Sequence, residues 1–279
     1  MPEIKTDRAI ATRAGEELNL PKLNTYLRKF AQQVGEVLEV TQFPGGFSNL
    51  TYCLKTADKE YVLRRPPFGA NIKSAHDMGR EFRVLSLLKN HYKKVPQPVV
   101  YCETAEVIDS PFYIMERING VILRAANAPK MNLPAEQLRK TSEALVDNFV
   151  QLHALDIQTT GFVQLGKPEG FVQRQVEGWI KRYYNDETDK IAPLDMIAKW
   201  LKNNLPAEHA PAFIHNDYKY DNVILDPNDL SNILGVLDWE MATVGEPLMD
   251  LGDTLASWSE ASDTDEVQFF KLTWLPGNI

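Results

Sequence analysis

The chain changes texture part-way along, and that change limits its fold more than any other feature. From Val37 to Ile118 the apolar residues fall in short β-branched or aromatic runs, VLEVTQF, LTYCLKT, YVLRR, PVVYC and FYIMERI, each bounded by turn residues. This pattern predicts an antiparallel sheet of about five strands. One helix interrupts it, because Met78, Phe82, Leu85 and Leu88 recur at helical spacing. After Pro134 the periodicity becomes helical, and Leu138, Leu145, Phe149 and Leu152 form one stripe along a helix of about twenty residues. A sheet-rich first part followed by a helix-rich second part gives an α+β, two-lobe plan, with lobes expected at residues 1–118 and 119–279.

Composition excludes several functions. Thirty Lys and Arg against 38 Asp and Glu leave a formal charge of −8, so no general attraction to nucleic acid or an anionic membrane is available, and neither is expected as a partner. An anionic ligand must then be held by a local site. No apolar run approaches the ~18 residues of a membrane span, and charges run through the N-terminal segment where a signal peptide would be apolar; a cytoplasmic location is the expectation. Cys53 and Cys102 have neither metal-like spacing nor a disulfide framework and read as small buried residues.

One stretch of the second part departs from helical periodicity. In AFIHNDYKYDNVILDPNDLSNILGVLDWE, two brief apolar runs, Val223 to Leu225 and Ile233 to Leu237, flank a turn at Asp226-Pro227-Asn228. These runs predict a hairpin. Asp217 and Asn222 precede its first strand and Asp238 ends its second, so an antiparallel pairing brings their oxygens together. Carboxylate and amide oxygens without thiolates or a second nearby histidine favour a hard cation such as Mg²⁺ over zinc. A carboxylate left over, here Asp217, is placed to orient or deprotonate a substrate hydroxyl. Against this stands a loop of Asp and Asn residues that merely cap turns. The joint pattern His215-x-Asp217-x4-Asn222 with a later Asp238-Trp239-Glu240 is much more specific than any one acidic residue.

Two features of the first part bear on phosphate. Gly45 and Gly46, with Ser48, lie between two strand-like runs, where glycines let backbone N–H groups approach a phosphate; taken alone, Pro44-Gly45-Gly46 reads first as an ordinary hairpin turn. Strand alternation places Arg64 on the face of Val62, toward the covered side of the sheet, where a cation needs a partner. Glu81 falls within the apolar stripe of the first-part helix and needs one too. An Arg64–Glu81 pair satisfies both and leaves guanidinium donors for phosphate oxygens; the alternative is two independent surface charges with their stems on apolar surface.

These residues resemble the protein-kinase-like superfamily in its aminoglycoside phosphotransferase and choline kinase branch, from about Val37 to Ser259, and most of all the kinase-like domains related to those fused with acyl-CoA dehydrogenases. The resemblance implies a bilobal kinase-like fold and ATP and Mg²⁺ as cofactors. It makes Asp217, with His215, the catalytic group and Asn222 and Asp238 the metal ligands, and lays Gly45 to Ser48 over the triphosphate. Arg64 stands where a lysine usually contacts the α- and β-phosphates opposite Glu81. FYIMERING becomes the interlobe hinge, with Met115 behind the adenine, the Glu116 carbonyl and the Ile118 N–H at its edge, and Asn119-Gly120 opening the second lobe. Asp250 buttresses the catalytic loop. Relatives continue with several more helices, so the C-terminal lobe is expected to be incomplete at Ile279.

Only eleven residues separate Asp238 from Asp250, with no A-P-E anchor, so there is little room to lay down a peptide and a small hydroxyl-bearing acceptor fits better. Acidic residues near the site suit a cationic aminoglycoside or choline; the fusion-domain likeness points to hydroxylated acyl or acyl-CoA compounds. Trp239, Trp258 and Tyr220 read either as acceptor-pocket lining or as core. The rival readings are a catalytically silent nucleotide-binding regulator, motivated by Arg64 and the short C-terminus, and a two-lobe scaffold without nucleotide.

Overall fold

A computed structural model describes residues 6–44, 49–67, 78–124, 127–258 and 263–265. Its first part is a five-stranded antiparallel sheet of β1 (Glu39–Gln42), β2 (Leu50–Lys55), β3 (Glu60–Arg65), β4 (Pro98–Cys102) and β5 (Phe112–Glu116), in the order β1-β2-β3-β5-β4. These are the five runs expected from sequence. Both faces of the central strands are covered, so β3 is almost wholly buried rather than alternating. Tyr61, Leu63, Ile114 and Phe112 face one core, which helix α1 (Leu20–Phe30) completes with Leu23 and Leu27. Val62, Tyr113 and Met115 face the other, under helix α2 (Met78–Leu88), whose Val84, Leu85 and Leu88 are fully buried.

Helix α1 and the strand-like segment before it were not anticipated from sequence. That segment runs along the sheet edge: Ile10 and Gln42 exchange two backbone hydrogen bonds of 2.8 Å, and Asp7 N–H donates to Gly120 O at 2.9 Å. The Asp7 carboxylate takes Arg124 at 2.6 Å while its carbonyl accepts from Arg117 at 2.8 Å. A strap thus ties the sheet edge to the point where the chain leaves β5.

Helix α3 (Ala135–His153) buries Leu138, Leu145, Phe149 and Leu152 and packs on the hairpin strand β8 (Asp229–Val236). Its partner β7 (Val223–Asp226) pairs antiparallel with it, and bulges at Ile224/Leu225 and Leu225/Asp226 absorb the extra length of β8. Helices α4 (Phe171–Asp186) and α5 (Ala192–Asn203) lead to β6 (Ala212–Ile214), which pairs with β9 (Thr243–Gly245), and α6 (Pro247–Ser257) follows. The β6–β9 pair, too short to stand out as a period-two pattern, fixes both ends of the stretch that carries the polar residues. Gly120 is required where the chain crosses from sheet to helices, because a Cβ there would meet Ile224 Cγ2 and, at 2.5 Å, Leu225 O. The close approach lets Val121 exchange two 2.8 Å backbone bonds with Leu225. No helix of the described residues is long and apolar enough to cross a membrane.

Candidate active site

The hairpin brings its polar residues together at its open end. Leu237 N–H donates to Asn222 O at 2.8 Å, which sets Asn222 beside Asp238. Asn222, only 8% exposed, turns its amide nitrogen onto Asp217, donating to the backbone O at 2.9 Å and to Oδ2 at 2.8 Å, so its oxygen faces away from Asp217. Lys219 Nζ meets Asp217 Oδ1 at 2.6 Å. Both carboxylate oxygens of Asp217 are therefore held, and the carboxylate is still partly open to solvent. Sequence reasoning missed Lys219, although its position two residues beyond Asp217 in an extended loop already puts it within reach.

The loop beneath is anchored from behind. Asp250, fully buried at the start of α6, accepts from His215 N at 2.8 Å, from Asn216 N at 2.6 Å and shares a 2.9 Å bond with His153 Nε2. Asn216 holds the left-handed conformation, φ 61°, a cost that the two Asp250 bonds around it offset. His215, grouped with Asp217 from sequence, is fully buried, and its Nε2 lies 2.9 Å from Leu237 O. Burial lowers its pKa against the pull of Asp250 and Asp217, so the imidazole is neutral and donates to that carbonyl. Through that bond it braces the open end of the hairpin. Asp253 of α6 carries a pKa raised first by burial and then by Asp217 and Asp250.

Arg64 joins the sheet to this centre. Its Nη1 lies 2.5 Å from Glu81 Oε1, and both Nη atoms lie 3.2 Å from Asp238 Oδ1, with Glu240 Oε2 at 3.7 Å from Nη2. The pair implied by strand alternation and the helix stripe is formed, but its reach to Asp238 and Glu240 was not foreseen. Glu81 Oε1 also accepts from Trp239 N–H at 3.1 Å. Burial pushes the Glu81 carboxyl up and Arg64 opposes it; a guanidinium and an amide donor on one oxygen favour the ionised form. Burial alone would lower the Arg64 pKa, but Glu81, Asp238 and Glu240 outweigh it and hold the cation. Glu81, Asp238 and Glu240 each offer a carboxylate oxygen, all within 4.8 Å of one another. Asp238 starts this turn in the left-handed conformation, φ 65°.

Met115 is buried at the end of β5, on the face of Val62, and Glu116 ends the strand with its side chain toward Lys59. The Ile118 N–H has no partner among the described residues, which leaves a donor at the edge of the crossing segment. Gly45, Gly46 and Ser48 lie outside the described residues. The aromatic candidates resolve as core: Trp239 is fully buried and donates to Val236 O at 2.9 Å, and Tyr220 packs on Trp258 with ring centres 5.8 Å apart.

With this geometry in view, comparison with known proteins decides the family. The pattern of the phosphotransferase enzyme family matches residues 39–277, nearly the whole chain. The chain belongs to that family. Acyl-CoA dehydrogenase family member 11 of Rattus norvegicus is 37% identical over 230 residues, 82% of this chain and 29% of the relative; family member 10 of Mus musculus is 35% identical over 214 residues, 77% of this chain and 20% of the relative. The phosphotransferase chain thus spans under a third of the length of these curated relatives. Among solved structures, a putative aminoglycoside phosphotransferase from Ralstonia eutropha superposes with a TM-score of 0.76 at 31% identity, covering 93% of this chain and 74% of that one. A thermostable mutant of aminoglycoside phosphotransferase APH(4)-Ia, in ternary complex with ADP and hygromycin B, superposes with a TM-score of 0.58 at 17% identity over 83% of this chain and 75% of that one, a likeness of fold alone. The bilobal kinase-like plan expected from sequence is therefore the plan of this phosphotransferase.

Proposed function

We propose that this phosphotransferase moves the γ-phosphoryl group of ATP to a hydroxyl of a small-molecule acceptor, with Mg²⁺ as the cation. The observation that carries the reading is the convergence of Asp217, Asn222 and Asp238 at one hairpin end, facing Arg64 of β3 and Glu81 of α2. The 1–118 lobe would hold nucleotide and the 119–279 lobe the reacting hydroxyl. The donor set fits a hard dication: Asn222 points its amide nitrogen at Asp217, which directs its oxygen elsewhere, and Arg64 contacts only Oδ1 of Asp238. When bound, the cation neutralises charge on the transferring phosphates.

The chain's own residues do the rest. Asp217, oriented by Asn222 and Lys219, accepts the proton of the acceptor hydroxyl as its oxygen attacks phosphorus and the bond to the ADP oxygen breaks. Lys219, with Nζ 2.6 Å from that carboxylate, helps hold its orientation and offers an ammonium donor to charge developing beside it. Arg64 supplies donors for phosphate oxygens while Glu81 keeps its fork from swinging. Gly45, Gly46 and Ser48 would cover the triphosphate. The Ile118 N–H and the Glu116 carbonyl would read the adenine edge, with Met115 behind the ring. Asp250 and His215 hold the loop geometry, and most of the rate gain comes from positioning and charge neutralisation.

The relatives lend support to one acceptor class over another. Kinship with a segment of acyl-CoA dehydrogenase family members favours a hydroxylated acyl compound or its CoA thioester over an aminoglycoside, since a dehydrogenase in the same polypeptide would act on the same carbon skeleton. ADP release from purified protein with ATP and Mg²⁺, against hydroxyacyl-CoAs, free hydroxy acids, aminoglycosides and choline, tests this. Acceptor-dependent release with the hydroxyacyl members is expected. Release with aminoglycosides or choline alone would move the acceptor to a cationic class, and nucleotide binding without release by any acceptor would make the chain a silent binder.

A further inference from the structure

The turn that Asp238 opens is a one-turn 3-10 helix, Trp239–Met241, closed by a 3.1 Å bond from Ala242 N–H to Trp239 O. A single turn satisfies few of its own end groups, so the N–H that opens it and the carbonyls that close it need partners from elsewhere. Trp239 and Ala242 are both fully buried, so water offers none. Helix α2, packed against this turn, supplies a partner at each end. Glu81 Oε1 accepts from the opening Trp239 N–H at 3.1 Å, and the residue before it, Arg80, donates from Nη2 to the closing Ala242 O at 2.8 Å. Each charge suits the end it meets, because a carboxylate takes the N–H and a guanidinium takes the carbonyl. Asn216 Nδ2 donates to Met241 O at 3.0 Å and holds the preceding carbonyl.

Resting on the phosphotransferase reading, we propose that Arg80 is a positioning residue for Asp238, the metal ligand of that reading. Asp238 enters the turn at φ 65°, a left-handed conformation that a non-glycine residue keeps only where its surroundings hold it. Arg64 grips one oxygen of its carboxylate, and the direction of the carboxylate then depends on the peptide that follows. Glu81 pins the start of that peptide run and Arg80 pins its far end. A turn held at one end pivots about it; a turn held at both ends does not. Because Arg80 and Glu81 are adjacent on one helix, the spacing of the two pins is set by the backbone of α2 and not by a loop. Without Arg80 the turn pivots on its Glu81 bond and Asp238 is less often aimed at the cation. Mg²⁺-dependent nucleotide binding then weakens, while metal-free binding is spared.

The test is calorimetric titration of ATP with and without Mg²⁺, which yields the factor by which Mg²⁺ tightens ATP, alongside melting temperatures of the same variants. Arg80→Met keeps the stem and removes every donor, so it should lower that factor by about 3- to 10-fold, the range for one lost hydrogen bond, with metal-free ATP affinity near wild type. Arg80→Lys can still donate to a single carbonyl and should recover most of the factor. Arg80→Gln, whose amide is too short to span the same gap, should show the loss if the methionine variant folds poorly. Adding Arg80→Met to Asp238→Ala should lower the factor no further, because Arg80 acts through Asp238. A lowered melting temperature in Arg80→Met and Arg80→Gln with the Mg²⁺ factor intact would reduce Arg80 to a structural role and overturn the proposal. So would an equal further loss in the Asp238→Ala background, which would have Arg80 act by another route. Failure of the wild type to bind ATP, or binding that ignores Mg²⁺, is a separate result that overturns the nucleotide or cation reading and this proposal with it.

Discussion

At the residue scale, Arg64 is held by more partners than sequence pattern could show. Alternation and the helix stripe identified two charges that needed partners, Arg64 and Glu81, because each lies within one element. The bonds to Asp238 and Glu240 depend on how the hairpin meets the sheet and leave no local trace. Replacing Arg64 with Ala strands Glu81, which is 1% exposed, and leaves Asp238 and Glu240 facing it without a cation; a loss of about 3–5 kcal/mol is expected. Arg64→Lys should keep the fold, since the charge stays, but one ammonium cannot serve Glu81 and Asp238 with a fork, so it should lose part of the coupling. Denaturant titration of Arg64→Ala, Asp238→Ala and the double variant measures it; strict additivity would separate the two residues. His215 gives a pH-dependent expectation. Its folded pKa is depressed below 6.5 while the unfolded chain titrates normally, so the unfolded state takes up the proton first. Stability should therefore fall as pH drops through about 6.5. His215→Gln, which can still donate to Leu237 O, should lose less stability than wild type between about pH 7.5 and about pH 5.5; equal losses would show that His215 protonates freely in the fold.

Elements were legible where a periodic pattern could develop. Five strands, α2, α3 and the hairpin all announce themselves, because four or more residues of alternation or a buried helical stripe is enough signal. The three-residue β6 and β9 and the edge segment around Ile10 are too short for any period, and they form because neighbouring chain supplies their partners. The glycine at the crossing belongs to this scale. Gly120→Ala would drive a methyl into Ile224 and the backbone oxygen of Leu225, and backbone cannot yield as a flexible side-chain tip can. The Val121–Leu225 bonds should weaken, with a loss of about 1–3 kcal/mol and weaker ATP binding, since the adenine-edge candidates Glu116 and Ile118 lie just upstream. Denaturation midpoints and nucleotide titration check this, and an unchanged midpoint would mean that the segment has room the structure does not show.

At the scale of the molecule, the places that join sheet and helical parts include the crossing at Gly120, the Asp238–Glu240 turn, which Arg64 and Asn49 contact from the sheet, and the N-terminal strap through Asp7. Sequence reading had nothing to say about the strap, because Asp7, Ile10 and Arg13 form no periodic pattern and their partners lie far along the chain. Asp7→Ala removes a half-exposed ion pair and should cost under about 1 kcal/mol. Deleting residues 1–13 is different, because it strips the Ile10 backbone bonds and the Arg13 N–H from Gln42, which is 1% exposed. A drop of several degrees in melting temperature is expected from a loss on the order of 1–3 kcal/mol, and calorimetric scans that show none would mean the strap adds nothing to the union. The central claim, that Asp217 takes the proton of an acceptor hydroxyl during phosphoryl transfer, is tested most directly by acceptor-dependent ADP release from Asp217→Asn with ATP affinity measured in parallel. The account predicts turnover lower by about 10²–10⁴ with ATP affinity near wild type; turnover comparable to an active wild type would contradict it.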